Sequence, residues 1–179
     1  MVQPLRIYLI IAFVKPRKNG ASGTIGGMSI DTRDRVEPDG VDADLRAFLS
    51  GTLRFASLAT VGRDGTPHVA VVWFALEPDG TILVNSAEGR RWPAELRADH
   101  RVGLSIVDQD DPYRWVGIEG VVESIVDDQV TAQADIARLA RRYHADDPAR
   151  AERLIAERFT HQRRVSFRIR PIAIHDERD

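Results

Sequence analysis

The sequence predicts an α+β domain that is mainly β: a barrel-like set of about six antiparallel strands with helices interposed. Three observations carry this. Two Asp-Gly turns, Asp64-Gly65 and Asp79-Gly80, join three extended apolar segments, the pattern of an antiparallel meander. Near the C-terminus Val165, Phe167 and Ile169 alternate with Ser166, Arg168 and Arg170, the period of a strand with one wet face. Between these regions, apolar residues recur at helical spacing behind Asp127 and Asp128.

Ordered structure is expected from Val41. Asp42 or Asp44 can cap a short helix through Ser50, with Leu45, Phe48 and Leu49 on one side and Gly51 as its stop. The first strand, LRFASLATV, places Leu53, Phe55, Ser57 and Ala59 on one face. After the first Asp-Gly turn, the apolar run from Val69 to Leu76 reads as a strand buried on both faces. TILVNS is the third strand, and Pro93 sits in the first turn of a brief helix, AELRAD. RVGLSIVD and the longer YRWVGIEGVVESIV are further strands. The next helix has Val130, Ala134, Ala137, Leu139 and Ala140 as its apolar stripe, and a second helix opens at Pro148 with Leu154, Ile155 and Phe159. Both stripes read as core packing. Pro171 interrupts the final strand, RRVSFRIRPIAIHD, and predicts an edge or a bulge there.

With 179 residues, 43% hydrophobic and 29% charged, the chain has the length for one globular domain with a real core. The 25 basic and 27 acidic residues leave a net charge of -2, so no overall basic field points to nucleic acid or a membrane. No cysteine is present, which excludes disulfides, thiolate metal sites and a cysteine nucleophile and fits a cytoplasmic protein. The apolar run Leu5 to Val14 is too short to span a bilayer and precedes its basic cluster, the reverse of a secretory signal. Residues 1–40 are expected to be a flexible extension, with the structured domain at 41–179 and Met28 as the physiological start.

Self-contained catalytic motifs are missing. The five histidines show no metal-ligand spacing, and there is no nucleophile elbow, P-loop or dinucleotide fingerprint. No catalytic side chain and no metal site is therefore assigned, and a bound cofactor is expected to carry any chemistry. One stretch stands out, ILVNSAEGRRWPAELRADHR at Ile82 to Arg101, which joins a strand to a helix through the adjacent Arg90 and Arg91. Helix N–H groups and guanidinium forks at such a turn can hold a phosphate.

FASLATVGRDGTPHVAVVWF, ILVNSAEGRRWPAELRADHRVGLSI and DPYRWVGIEGVVE together resemble the pyridoxamine 5'-phosphate oxidase-like split-barrel family from Leu45 to His175. The resemblance implies a split barrel that works as a homodimer and binds flavin mononucleotide or the deazaflavin coenzyme F420. NSAEGRR is similar to the turn of the flavin oxidases that holds the cofactor phosphate, which implies that role for Asn85, Ser86, Arg90 and Arg91. HVAVVW corresponds to the segment facing the ring system and implies His68, Val69, Ala70, Val71 and Trp73 as the ring pocket. Trp115 stands where the oxidases have a flavin-contacting Gln. RRWPAELRADHR resembles the turn of the F420 branch, with Trp92 at the usual Lys, Glu95 at the usual Asn, and Leu96, Arg97, Asp99 and Arg101 retained. The expected function is F420-dependent hydride transfer to a small organic substrate. The alternatives are an oxidoreductase using FMN and a non-catalytic flavin-, deazaflavin- or haem-binding split barrel.

Overall fold

The structure is a computed structural model and describes residues 41–177; the predicted extension at 1–40 lies outside the described residues. In chain order the elements are α1 (Ala43–Ser50), β1 (Ala56–Val61), β2 (Pro67–Val72), β3 (Phe74–Leu76), β4 (Ile82–Ala87), α2 (Arg91–Ala98), β5 (Arg101–Val107), β6 (Trp115–Val126), α3 (Gln129–Tyr143), α4 (Pro148–Leu154) and β7 (Arg164–Glu177). A π-helical turn, Ile155–Phe159, extends α4. The caps follow the residue types. Asp42, Asp128 and Asp147 accept backbone N–H bonds at the starts of α1, α3 and α4, and Pro148 occupies the first turn of α4.

All seven strands form one antiparallel sheet in the order β2-β1-β5-β6-β7-β4-β3. Its two outermost strands, β2 and β3, are consecutive in the chain and separated by Trp73 alone. One residue spans only about 3.5 Å. The two edges of the sheet therefore lie side by side, and the sheet curls into a split barrel. The predicted single strand from Val69 to Leu76 is thus two strands, one on each side of the seam, which raises the strand count above the expected six.

Ala56, Leu58, Phe74, Ile82, Val84, Leu104, Ile106, Val116, Ile118, Phe167 and Ile169 fill the barrel with the α1 residues Leu45, Phe48 and Leu49. A second cluster joins α3 to the outside of β3 and β4: Ala75, Leu83, Ile136, Leu139, Ala140, Tyr143 and Phe159, with Trp73 against it. Two expectations are corrected by this packing, those for the burial of β2 and for the apolar stripe of α3. Val69 and Val71 are not buried on both faces but 61% and 71% exposed, because only alternate residues of β2 face the barrel. The face of β1 carrying Phe55, Ser57 and Ala59 is the outer one, and Ala56 and Leu58 fill the core. Val130 is 81% exposed and Ala134 is exposed, since the buried stripe of α3 runs through Ala132, Ile136, Leu139 and Tyr143. Pro171 lies opposite Gly120 at a register shift between β6 and β7. Among the described residues, beyond Ile169 strand β7 pairs with β6 alone, so the bulge and a locally unpaired side together accommodate it, as the sequence predicts.

Candidate functional site

The turn from β4 into α2 is built around Gly89, whose φ of +83° is the left-handed conformation that a residue with a Cβ adopts only under strain. Arg90 is the N-cap of α2 and provides no side-chain acceptor, so the first N–H groups of this helix are left without a side-chain cap. Arg90 and Arg91 are both exposed. Arg91 is held in place: its Nε donates to Glu95 Oε1 at 2.6 Å, one helical turn on.

Glu95 is the organising residue of this end of the barrel. It is 8% exposed, and its other oxygen accepts from Thr60 Oγ1 at 2.6 Å and from His68 Nδ1 at 2.8 Å. Burial opposes its ionisation, but the hydrogen bonds from Thr60, Arg91 and His68 override that and hold its pKa at about 2. One carboxylate thereby ties α2 to β1 and β2 and connects an expected phosphate residue, Arg91, with an expected ring-pocket residue, His68. In the sequence Glu95 stood out only as a departure from the family's Asn. Its partners lie 35 and 27 residues away, and no local pattern signals them.

The outward face of the sheet carries a second candidate region. Across the strands, Val71, Ser57, Ser105, Gly117 and His175 stand in one row, and Val69, Ala59, Gly103, Glu119 and Ala173 in the next. The middle of both rows consists of Ser, Ala and Gly. The result is a shallow cavity of about 350 Å³ floored by these small residues, with Val69 at one side and His175 and Glu119 at the other. His175 Nε2 lies 3.1 Å from Glu119 Oε1. Trp115 stands beside this groove: a Cβ on Gly117 would come within 3.0 Å of its Cζ3. The free edge of β2 borders the same face. Among the described residues β2 pairs only with β1, so the backbone groups on its other side have no strand partner there.

The structure thus brings His68, Arg91 and Glu95 together on one side of β2 and turns Val69 and Val71 outward on the other, while Trp115, on β6, is separated from them by β1 and β5. Ala70 follows His68 on the inner face. The remaining expected residues are placed elsewhere. Asn85 is buried under α3, where Nδ2 donates to the Ala132 carbonyl and to Ser166 Oγ at 2.9 Å each and Oδ1 accepts two bonds from Arg164. Ser86 is fully buried and donates to the Ala87 carbonyl. Trp92 is 4% exposed and packs in the barrel core against Phe167, with ring centroids 5.5 Å apart. Trp73 stacks on Tyr143 at 5.0 Å in the helical layer. Of the retained F420-branch residues, Leu96 is core, Arg97 bridges Glu88 and Asp127, and Asp99 pairs with Arg101. Among the described residues no group of three or more acidic or histidine side chains could hold a metal, and no helix is long and apolar enough to cross a membrane.

Comparison with known proteins agrees with this architecture. The chain is 32% identical over 119 residues to an F420H(2)-dependent biliverdin reductase of Mycobacterium tuberculosis (strain CDC 1551 / Oshkosh), covering 66% of this chain and 80% of that protein. A solved structure described as an F420 reductase superposes with a TM-score of 0.58 at 30% identity, covering 72% of this chain and 94% of the other. The haem storage protein HutZ of Vibrio cholerae shares the fold, with a TM-score of 0.53 at 18% identity over 80% of this chain and 95% of its own. The family described as pyridoxamine 5'-phosphate oxidase matches residues 41–176. With that match spanning the whole barrel and its helices, the chain belongs to the pyridoxamine 5'-phosphate oxidase family.

Proposed function

We propose that this chain is an F420-dependent oxidoreductase acting on a small organic substrate. The observation that carries the reading is the groove on the outer sheet face, where Ser57, Ala59, Gly103, Ser105 and Gly117 leave room for a flat ring beside the unpaired edge of β2. A Cβ on Gly103 would meet only Ala59 Cβ, at 3.6 Å, so the space above that glycine is open. The reductase names of the two relatives at 30% identity or more support the choice of a deazaflavin.

The residues fit such a cofactor in two ways. Arg90 and Arg91, at a helix start without a side-chain cap, would hold its phosphate. The backbone of β2 at Val69, Ala70 and Val71 would border its ring, with the polar N–H and C=O groups of the free edge available to the ring's amide-like margin. A bound deazaflavin supplies the hydride. The protein contributes position: Glu95 holds Arg91 and His68 in fixed orientation, and the small residues of β1, β5 and β6 let a planar substrate approach the sheet.

Exposure of Val69 and Val71 on this face supports association of two copies, as the family resemblance implies, with the groove between them. The test is fluorescence titration of the purified full chain with coenzyme F420 and, separately, FMN. Tighter binding of F420 is expected. Preference for FMN would move the chain to the flavin oxidases, and no binding of either at tens of micromolar would defeat the proposal. Binding without turnover of any enone, quinone or tetrapyrrole substrate would identify a carrier instead.

A further inference from the structure

His175 and Glu119 are the only ionisable side chains that line the outer groove; its other lining residues are glycine, serine or apolar. Strand register sets the pair. Glu119 of β6 stands opposite Ala173 of β7 and Gly117 opposite His175, so the two side chains meet diagonally across adjacent strands on one face. His175 Nε2 lies 3.1 Å from Glu119 Oε1, within hydrogen-bond distance. A carboxylate oxygen only accepts, so Nε2 carries the proton of that bond. Nδ1 is then the nitrogen left to meet a ligand, and it has no hydrogen bond to another described residue.

The neighbours of the imidazole set it at a recess. A Cβ added to Gly117 would lie 3.5 Å from His175 Cβ and 3.0 Å from Trp115 Cζ3, so the imidazole and the indole flank a spot that only the missing side chain keeps open. The row continues through Ser105 and Ser57, Cα partners across β5 and β1, so the strands beyond Gly117 present hydroxyls and no charge to this part of the cavity. His175 and Glu119 are 51% and 64% exposed, which leaves both in exchange with water.

We propose that His175 donates a proton to a conjugated carbonyl substrate in this groove and that Glu119 is the positioning residue that fixes its ring. The inference rests on the hydride-transfer reading given above and adds the group that completes the reaction. Hydride from a reduced deazaflavin forms a C–H bond at the carbon β to the carbonyl; the C=C π pair shifts toward the carbonyl carbon and the C=O π pair moves onto oxygen. That oxygen takes the proton from Nδ1 of the His175 imidazolium, an O–H bond forming as the N–H bond breaks. The imidazole left behind is neutral, with Nε2–H still on Glu119, and water returns its proton. Two electrons have passed from deazaflavin to substrate, and the enol relaxes to the saturated ketone. A donor placed where negative charge develops lowers the barrier to the hydride step.

The probe is benzylideneacetone, a flat enone, with β-methylstyrene, which lacks the carbonyl, as its control. In the full chain free of cofactor, ligand-observed NMR titration should show His175→Ala weakening benzylideneacetone at least about threefold and leaving β-methylstyrene unchanged, since only the carbonyl meets the imidazole. In the chain loaded with reduced F420, His175→Ala should lower kcat for the enone at least about tenfold, and added imidazole should restore part of the loss. Glu119→Ala should lower kcat about fivefold, and Glu119→Gln, whose amide oxygen still accepts from Nε2, should recover most of it. No reduction of the enone by the native chain, an unchanged kcat in His175→Ala, a loss that imidazole does not rescue, or equal weakening of both probes would overturn the proposal. Absence of F420 binding would defeat the proposed function and this step with it. F420 binding with enone reduction intact in His175→Ala would defeat this inference alone.

Discussion

Replacing Glu95 by Gln should destabilise the folded chain by about 2 kcal/mol at pH 7 and by distinctly less at pH 3.5. The carboxylate accepts from Thr60, His68 and Arg91, and its pKa of about 2 lies well below the ordinary 4.5. That shift bounds its contribution at about 3 kcal/mol. Arg91 is 55% exposed, so water replaces part of its bond, and the Gln amide oxygen still accepts from Thr60; together these lower the expected loss to about 2 kcal/mol. The sign with pH follows from a depressed folded-state pKa. The stabilisation is complete above 4.5, where the unfolded chain is also ionised, and it disappears as pH falls through the folded value near 2. At pH 3.5 the unfolded chain has already taken up its proton and the folded chain has not, which removes about 1.4 kcal/mol. Urea unfolding followed by tryptophan fluorescence, native chain against Glu95→Gln at the two pH values, measures both. Equal stability at pH 7, or an identical difference at pH 3.5, would refute the assignment of Glu95 as the hub.

Three further substitutions test other parts of the structure. Asp108→Ala strands Arg54, which is 6% exposed, and should cost about 3–5 kcal/mol in urea unfolding. Because the Arg54 hydrogen bond is the first cause holding the Asp108 pKa at about 2, its contribution too should be complete above the ordinary aspartate pKa and fade as pH falls toward 2. Gly103→Val adds methyl groups where only Ala59 Cβ is near, so the melting temperature should change by no more than a few degrees while F420 affinity falls at least about tenfold; unchanged affinity would remove the groove from the site. Val71→Asp places a charge on the apolar outer face without touching the core, and light scattering should show it shift toward monomer relative to the native chain.

Local sequence was sufficient for most of the fold. Asp-Gly pairs at 64–65 and 79–80 form the turns they predict, with Gly65 and Gly80 at φ of +80° and +84°. Aspartates cap α1, α3 and α4 and period-two alternation marks β7, because caps, turns and strand faces depend on residues within a few positions of one another. The arginine turn was visible for the same reason. What local sequence could not decide is which face of each strand meets which neighbour. Val69 to Leu76 reads as one buried strand, yet the chain crosses the barrel seam at Trp73 and turns Val69 and Val71 outward. The resemblance put Asn85 and Trp92 beside the arginines and Trp73 in the ring pocket, whereas the tertiary structure directs them to Arg164, to Phe167 and to Tyr143.

Sequence by itself determined a barrel of antiparallel strands with a cationic turn before a short helix, since those features rest on periodicity and on nearest neighbours. Only the tertiary structure decided how that turn is wired. Glu95 reaches Thr60 and His68, and Arg164 reaches Asn85 across 79 residues, through strand register that no short-range pattern encodes. The groove follows the same rule: Ser57, Gly103 and Gly117 become one surface only when β1, β5 and β6 align.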